Sequence, residues 1–183
     1  MNYAADIPSS RHRSGLPILF LDVDGVISLF GFREGYGLAA GDAPFGGRPG
    51  GALHSINGIP HYIKASAGEH LNLLRAHFEL VWATGWEESA NEHLPYILGL
   101  PDELPYLTFD GRVAAGACHW KIDAIEEYAG SERSLAWIDD NLDPSCHEWA
   151  LERSAPTLLI ETERHVGMHD EHVEQLISFS RGA

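Results

Sequence analysis

The sequence has few cysteines and lacks any long hydrophobic run. Its two cysteines, Cys118 and Cys146, form no Cys-x-x-Cys pair and provide no disulfide framework, so a reducing compartment is the simpler expectation. No stretch is long enough to span a bilayer, and residues 1–15 lack the apolar centre of a signal peptide. We therefore expect a cytoplasmic protein with no membrane partner, in which residues 1–15 are a flexible lead-in.

Basic residues are also scarce. The chain has 12 Lys and Arg against 27 Asp and Glu, a formal net charge of −15. A field of this sign repels nucleic acid at long range, so general nucleic-acid binding is not expected. Small anionic substrates remain compatible with it, because local cations or a bound metal can reverse the field inside a pocket. The 183 residues, 44% of them hydrophobic, fit a single globular domain over 16–183.

Short apolar runs alternate with helical patterns along most of the chain. The predicted strands are Ile18–Leu21, Phe78–Ala83, Leu104–Phe109, Ser134–Ile138 and Thr157–Ile160. The predicted helices are Glu69–His77, Glu87–Leu98, His119–Tyr128, Ser145–Arg153 and Asp170–Ser180. This alternation favours an α/β fold with a doubly wound, Rossmann-like parallel sheet of about five strands.

An insertion at about 29–64 interrupts the alternation. Phe30–Ala52 is rich in glycine, which favours loop over helix. Leu53–Lys64 is typical of a hairpin, with Asn57-Gly58 as a type I′ turn. Pro60 lacks an N–H group and should confine the second arm of the hairpin to an edge of its sheet. The insertion is thus predicted to be a loop followed by a small β-hairpin flap.

The first predicted strand ends on two carboxylates, Asp22 and Asp24, followed at once by Gly25. Open α/β sheets bind ligands at the carboxyl ends of their strands. Two carboxylates so close to an apolar strand would repel each other unless they shared a cation. The alternative is an ordinary Asp/Gly turn after a strand.

Polar residues also follow two later strands, and another begins a helix. Thr84 comes after the second strand, Lys121 lies near the start of the following helix, and Asp139-Asp140 end the fourth strand. Each has an ordinary alternative: Thr84 as a helix cap, Lys121 as a solvated helix residue, and Asp139-Asp140-Asn141 as a turn with Asn141 left-handed. Their joint occurrence at strand ends that share one edge is harder to explain by chance.

These segments resemble the four motifs of the haloacid dehalogenase (HAD) superfamily. The resemblance runs from Leu16 to Ile160 and is carried by Asp22-Val-Asp-Gly-Val, Thr84, Lys121 and Trp137-Ile-Asp-Asp. It implies that Asp22 is a nucleophile that becomes an aspartyl-phosphate, and that Asp24 is the general acid and then the general base. Thr84 would hold the phosphoryl group and Lys121 would neutralise charge around it. In this superfamily an acidic residue two positions after the nucleophile marks the phosphoryl-transfer members, so Asp24 favours a phosphatase over a dehalogenase.

The resemblance also implies a Mg²⁺ cofactor. Asp139, with Asp140 as the second choice, would hold the metal together with Asp22 and the backbone carbonyl of Asp24. Asp143 stays open as an alternative second acid. Mg²⁺ prefers oxygen ligands and keeps several waters, so a few carboxylates suffice. The insertion at 29–64 is short for a folded cap, which implies a minimally capped member of the superfamily.

The expected partner is a phosphorylated substrate, either a small molecule or a macromolecule, and an oligomer is compatible with the sequence. The rival hypothesis is a catalytically silent HAD-like protein that binds a phosphorylated ligand or a protein partner. His165, His169 and His172 have partial metal-ligand spacing, but solvated histidines are expected there rather than a zinc site. Trp86 and Trp120 adjoin two of the motifs and are either pocket walls or core.

Overall fold

The structure, a computed structural model, describes residues 15–30, 51–109 and 119–183. In chain order its strands and helices are β1 Ile18–Leu21, β2 Ser28–Leu29, β3 Gly51–Ile56, β4 Ile59–Lys64, α1 Ala65–Leu74, β5 Glu79–Trp82, α2 Ser89–Leu98, α3 Ile122–Ala129, β6 Leu135–Asp139, α4 Pro144–Glu152, β7 Thr157–Glu161 and α5 Asp170–Ser180. They form a four-stranded sheet and a separate three-stranded sheet.

The larger sheet is parallel, with the strand order β5-β1-β6-β7. Ile18 of β1 aligns with Glu79 of β5 on one side and with Leu135 of β6 on the other. All residues of β1, β5 and β6 are buried, as expected of unbroken apolar runs with both faces covered. The predicted α/β fold with a parallel sheet is confirmed.

Helices cover both faces of this sheet. Leu19 and Leu21 belong to a hydrophobic cluster that includes residues of α1, α2 and α5, whereas Ile18 and Phe20 belong to a second cluster with residues of α3 and α4. Successive side chains of a strand point to opposite faces, so β1 contributes to the core on each side. The sheet is therefore doubly wound, with β1 near its centre.

The third predicted strand, Leu104–Phe109, is not a strand of this sheet. It makes one isolated bridge, between Tyr106 and Trp82. The two hydrogen bonds of this bridge run from the Trp82 N–H to the Pro105 carbonyl at 2.8 Å and from the Leu107 N–H to the Trp82 carbonyl at 2.9 Å. The Asn91 side chain accepts from the Leu104 backbone N–H at 3.1 Å and donates to the Leu104 carbonyl at 2.7 Å. Pro105 has no N–H to donate. The sheet consequently has four strands rather than about five.

The predicted hairpin is formed by β3 and β4, and its turn residues Asn57 and Gly58 have φ angles of 51° and 79°. Positive φ at both positions is what a type I′ turn requires. The edge position expected from Pro60 is wrong, because β4 lies between β2 and β3. Strand β2 reaches only as far as Tyr62 and Ile63, so no neighbour needs the missing N–H of Pro60.

Helix boundaries follow local sequence where capping is clear. Helix α5 spans the predicted residues, and α4 begins with Asp143 as N-cap and Pro144 in the first turn. Helix α1 begins four residues before the predicted Glu69 and includes Gly68. A Cβ at Gly68 would overlap the carbonyl oxygen of Leu98 in α2, so this glycine permits close packing of the two helices rather than ending one.

Several predictions concern residues outside the described ranges. The lead-in 1–14, the glycine-rich loop at 31–50, and Cys118 are among them. The extent of the insertion and of the single domain stays a prediction. None of the helices in the described part of the chain has both the length and the apolar content needed to span a bilayer.

Candidate active site

Asp22 extends β1 by one residue at the carboxyl edge of the sheet. Its backbone N–H donates to the Ile138 carbonyl of β6 at 3.1 Å, and its side chain is buried. On the other side, Ala83 N–H donates to the Leu21 carbonyl at 2.8 Å, which brings Thr84 to the same edge. The ladder of the sheet thus places the residues that follow β1, β5 and β6 together, as their positions after the strands predict.

Lys121 carries the positive charge of this edge. Its Nζ lies 3.0 Å from Oδ1 of Asp22 and 2.6 Å from Oδ2 of Asp139, and the residue is only 2% exposed. The alternative of a solvated helix residue is therefore wrong. Buried charges are tolerated when they are paired and hydrogen-bonded, and Lys121 pairs with two carboxylates at once.

Asp139 is held by three donors. Its Oδ2 accepts from Lys121 and from the Trp137 indole at 3.1 Å, and its Oδ1 accepts from the Asn141 backbone N–H at 3.1 Å. The positive-φ residues other than glycine in the described ranges are Asn57 and Glu87, so the left-handed Asn141 of the turn alternative is absent there. Asp139 is thus fixed in orientation, with both of its oxygens already engaged.

Three carboxylates converge on one point. Oxygens of Asp22, Asp139 and Asp140 all lie within 4.8 Å of one another, the one such group of metal-ligand side chains within the described residues. Asp143 is not a member, because its Oδ1 accepts from the Ser145 backbone N–H at 2.8 Å and caps α4. A compact set of carboxylate oxygens is the donor set that Mg²⁺ prefers, so the residues present fit this metal.

Electrostatics at the cluster favour uptake of a cation. Burial raises the pKa of Asp22 to about 7, with the Asp139 charge acting in the same direction and Lys121 opposing it. Burial, and then the Asp139 charge, also raises the pKa of Asp140. Lys121 alone does not offset the surplus of negative charge, and a divalent cation shared by these carboxylates would do so.

Gly25 allows Asp140 to join the cluster. Its φ is +75°, and a Cβ built there would lie 2.5 Å from Cγ of Asp140. The buried Thr162 hydroxyl donates to the Gly25 carbonyl at 2.9 Å and ties the turn after β1 to the end of β7. On the open side, Nε of Arg164 lies 3.7 Å from Oδ2 of Asp140, and the Arg164 side chain is 54% exposed.

Asp24 has surroundings different from those of Asp22. It is half-buried, and its Oδ2 accepts a hydrogen bond from the indole Nε1 of Trp86 at 2.9 Å. Sequence reasoning placed Trp86 near the site as wall or core and missed this contact. The signal in the sequence was only that Trp86 follows Thr84 by two residues.

Thr84 is 1% exposed, and its Oγ1 accepts from the Trp86 backbone N–H at 3.4 Å. Helix α2 has Glu88 as its N-cap and no side-chain cap, so the capping alternative for Thr84 is wrong. On the other side of the site, the Trp120 ring centroid lies 5.1 Å from Nζ of Lys121, and the Phe109 ring packs against Trp120. Trp120 therefore covers Lys121.

The three histidines after β7 do not join the carboxylate cluster. His165 is exposed and lies 3.4 Å from a Glu163 carboxylate oxygen, in line with a solvated residue. His169 and His172 stack with ring centroids 3.7 Å apart, and burial lowers the pKa of His172. This pair is thus partly packed rather than fully solvated.

A family model described as the HAD domain in Swiss Army Knife RNA repair proteins matches residues 18–173. The chain belongs to this HAD family. The matched part of this HAD domain includes Asp22, Asp24, Thr84, Lys121 and Asp139-Asp140. The resemblance to HAD-like hydrolases is confirmed, and the family in general uses Mg²⁺. No curated protein matches the chain.

Proposed function

We propose that this protein is a Mg²⁺-dependent phosphomonoester hydrolase that acts through an aspartyl-phosphate on Asp22. The observation that carries the proposal is the position of the Asp22 carboxylate, which is buried, 3.0 Å from Lys121 Nζ and in one cluster with Asp139 and Asp140. A carboxylate can form a covalent intermediate, provided that the negative charge of the approaching phosphate is cancelled.

Asp22 and Asp140 would be the main metal ligands, with the backbone carbonyl of Asp24 and with Asp139 in support. Asp139 already accepts from three donors, whereas among the residues that the structure describes Asp140 has only the 3.7 Å contact to exposed Arg164. We therefore place Asp140 ahead of Asp139 as a ligand. When bound, Mg²⁺ would supply positive charge that offsets the carboxylates and the phosphate oxygens.

The side chains would divide the reaction into two displacements. An Asp22 carboxylate oxygen attacks phosphorus as the ester P–O bond breaks, and Asp24 gives its proton to the departing oxygen. Asp24 then takes a proton from water, the water oxygen attacks phosphorus, and inorganic phosphate leaves as the Asp22 carboxylate is restored. Lys121 stays beside Asp22 throughout, and the Thr84 hydroxyl donates to the transferring group.

RNA carrying a terminal phosphate is the first macromolecular substrate to consider, because the matching family model describes RNA repair proteins. A net charge of −15 disfavours an extended interface with the nucleic-acid backbone. Engagement should therefore be confined to the phosphorylated end, and activity on such an end should depend only weakly on salt concentration.

The test is hydrolysis of p-nitrophenyl phosphate with Mg²⁺, with excess chelator, and after Mg²⁺ is restored. We expect turnover with the metal, loss of turnover with chelator, and recovery on adding Mg²⁺ back. A panel of phosphorylated metabolites and of 5′- and 3′-phosphorylated RNA would follow. If the metal-loaded protein hydrolyses none of these compounds, the catalytically silent alternative replaces this proposal.

The metal assignment makes a separate prediction. Asp140→Asn should raise the Mg²⁺ concentration for half-maximal activity by at least about tenfold, because losing a direct ligand should cost no less than losing an outer partner. Asp143→Asn is the matched control: asparagine is also a good N-cap, so the midpoint should equal that of the wild type. A wild-type midpoint in Asp140→Asn would remove Asp140 from the metal site.

A further inference from the structure

The indole of Trp86 links Asp24 to the hairpin flap. Its Nε1 donates to Oδ2 of Asp24 at 2.9 Å, and the ring of His61 on β4 packs edge-on against it at a centroid distance of 4.7 Å. Nδ1 of His61 is in turn hydrogen-bonded to the Ser28 hydroxyl of β2 at 2.8 Å. These contacts form a continuous chain from the turn after β1 into the three-stranded sheet.

A tight turn after β5 presents the indole. Glu87 N–H donates to the Thr84 carbonyl at 3.0 Å, and Glu87 has a φ of 48°, which is uncommon for a residue other than glycine. The Glu87 carboxylate accepts from the Phe109 backbone N–H at 2.9 Å, a contact that holds this conformation. Uncommon backbone conformations persist only where the surroundings hold them, and here the held turn contains Trp86.

We propose that Trp86 is a positioning residue for the general acid Asp24, and that His61 of the flap keeps the Trp86 ring in place. The inference rests on the proposed function. An indole N–H is a donor only, so Oδ2 of Asp24 accepts from it in every protonation state of the carboxyl group. The proton that Asp24 gives and later takes back is therefore carried on Oδ1.

Holding one oxygen matters because a general acid must lie within hydrogen-bond reach of the atom it protonates, and small misplacements slow catalysis strongly. Without the indole N–H, the Asp24 side chain gains other rotamers in which Oδ1 points away from the leaving oxygen. The loss of catalytic rate should depend on the leaving group. An alkoxide needs protonation as it departs, whereas p-nitrophenolate needs little.

The test is Trp86→Phe, which keeps an aromatic ring against His61 and removes the indole N–H. The value of kcat/KM includes the steps up to release of the leaving group, so it isolates the acid role of Asp24. We expect kcat/KM to fall about tenfold or more for glycerol phosphate and less than about threefold for p-nitrophenyl phosphate, given the usual scale of general-acid catalysis.

Trp149→Phe is the matched control, because its indole Nε1 also donates to a carboxylate, Oε2 of Glu126, at 3.2 Å, and Trp149 packs on the opposite face of the sheet from Trp86. We expect Trp149→Phe to change kcat/KM only slightly, and by the same factor for both substrates. His61→Phe, which keeps an aromatic edge and loses the bond to Ser28, should show the same selective loss as Trp86→Phe but a smaller one.

If Trp86→Phe lowers kcat/KM equally for the two substrates, or does not lower it for glycerol phosphate, the positioning role is overturned. If the wild type hydrolyses neither substrate, the proposed function itself fails. NMR checks the contact without turnover. The indole ¹⁵N–¹H signal that disappears in Trp86→Phe is assigned to Trp86, and this signal should shift in the spectrum of Asp24→Ala. An unshifted signal would show that the indole does not donate to Asp24.

Discussion

Asp22→Asn is expected to abolish phosphoester hydrolysis, with kcat at least about four orders of magnitude below that of the wild type, on the scale of other nucleophile deletions. The amide cannot attack phosphorus, whereas the other proposed groups stay in place. The fold should survive, because asparagine has nearly the same shape and Lys121 keeps Asp139 as its partner at 2.6 Å. Initial rates with saturating Mg²⁺, together with circular dichroism and the thermal midpoint, check both parts.

The matched control for this variant is Asp102→Asn, which neutralises an exposed carboxylate paired with Arg75 on the surface. Exposed pairs contribute little to stability, so Asp102→Asn should retain the activity and midpoint of the wild type. Substantial activity in purified, folded Asp22→Asn would refute Asp22 as the nucleophile while leaving membership of the HAD family untouched.

Asp24→Asn is expected to accumulate a phosphoryl group on Asp22 when p-nitrophenyl phosphate is the substrate. The first displacement needs little acid because p-nitrophenolate is a good leaving group. Attack of water on the phospho-enzyme still needs a base, and its rate should fall by about 10²- to 10⁴-fold. Intact-protein mass spectrometry should show one added phosphoryl group, which hydroxylamine removes because it cleaves acyl phosphates.

For Asp24→Asn, the double variant with Asp22→Asn is the control and should carry no adduct. Hydrolysis of p-nitrophenyl phosphate at the wild-type rate, with no adduct, would contradict the role of Asp24. An adduct that survives hydroxylamine would place the phosphoryl group on another kind of residue.

The parts of the site that could be predicted are the residues that directly follow a predicted strand. An apolar run places Asp22 at the end of β1, and the parallel ladder then brings it beside the residues after β5 and β6. Lys121 was a different case: nothing local distinguishes it from a surface lysine, and its role beside the phosphoryl group came only from the resemblance to the HAD superfamily. Its burial between Asp22 and Asp139 depends on the tertiary structure.

Features that depend on side chains from distant segments could not be predicted. The bond from Trp86 to Asp24 requires Glu87 to adopt a positive φ, and no local signal predicts this for glutamate. The segment Leu104–Phe109 has the composition of a strand, but its pairing with β5 is limited to one bridge at Trp82, and the Asn91 side chain of α2 bonds the backbone of Leu104. In both places the decisive partner lies in another element.

The position of β1 has a consequence for biosynthesis. Its two neighbours are β5, made up of residues Glu79–Trp82, and β6, made up of Leu135–Asp139. Pairings between segments so far apart in the chain form slowly, because a long loop must close first. While the ribosome is still translating the region before β6, the nascent chain carries Asp22 without Asp139 and Asp140 beside it. The carboxylate cluster can therefore assemble only after β6 has emerged from the ribosome.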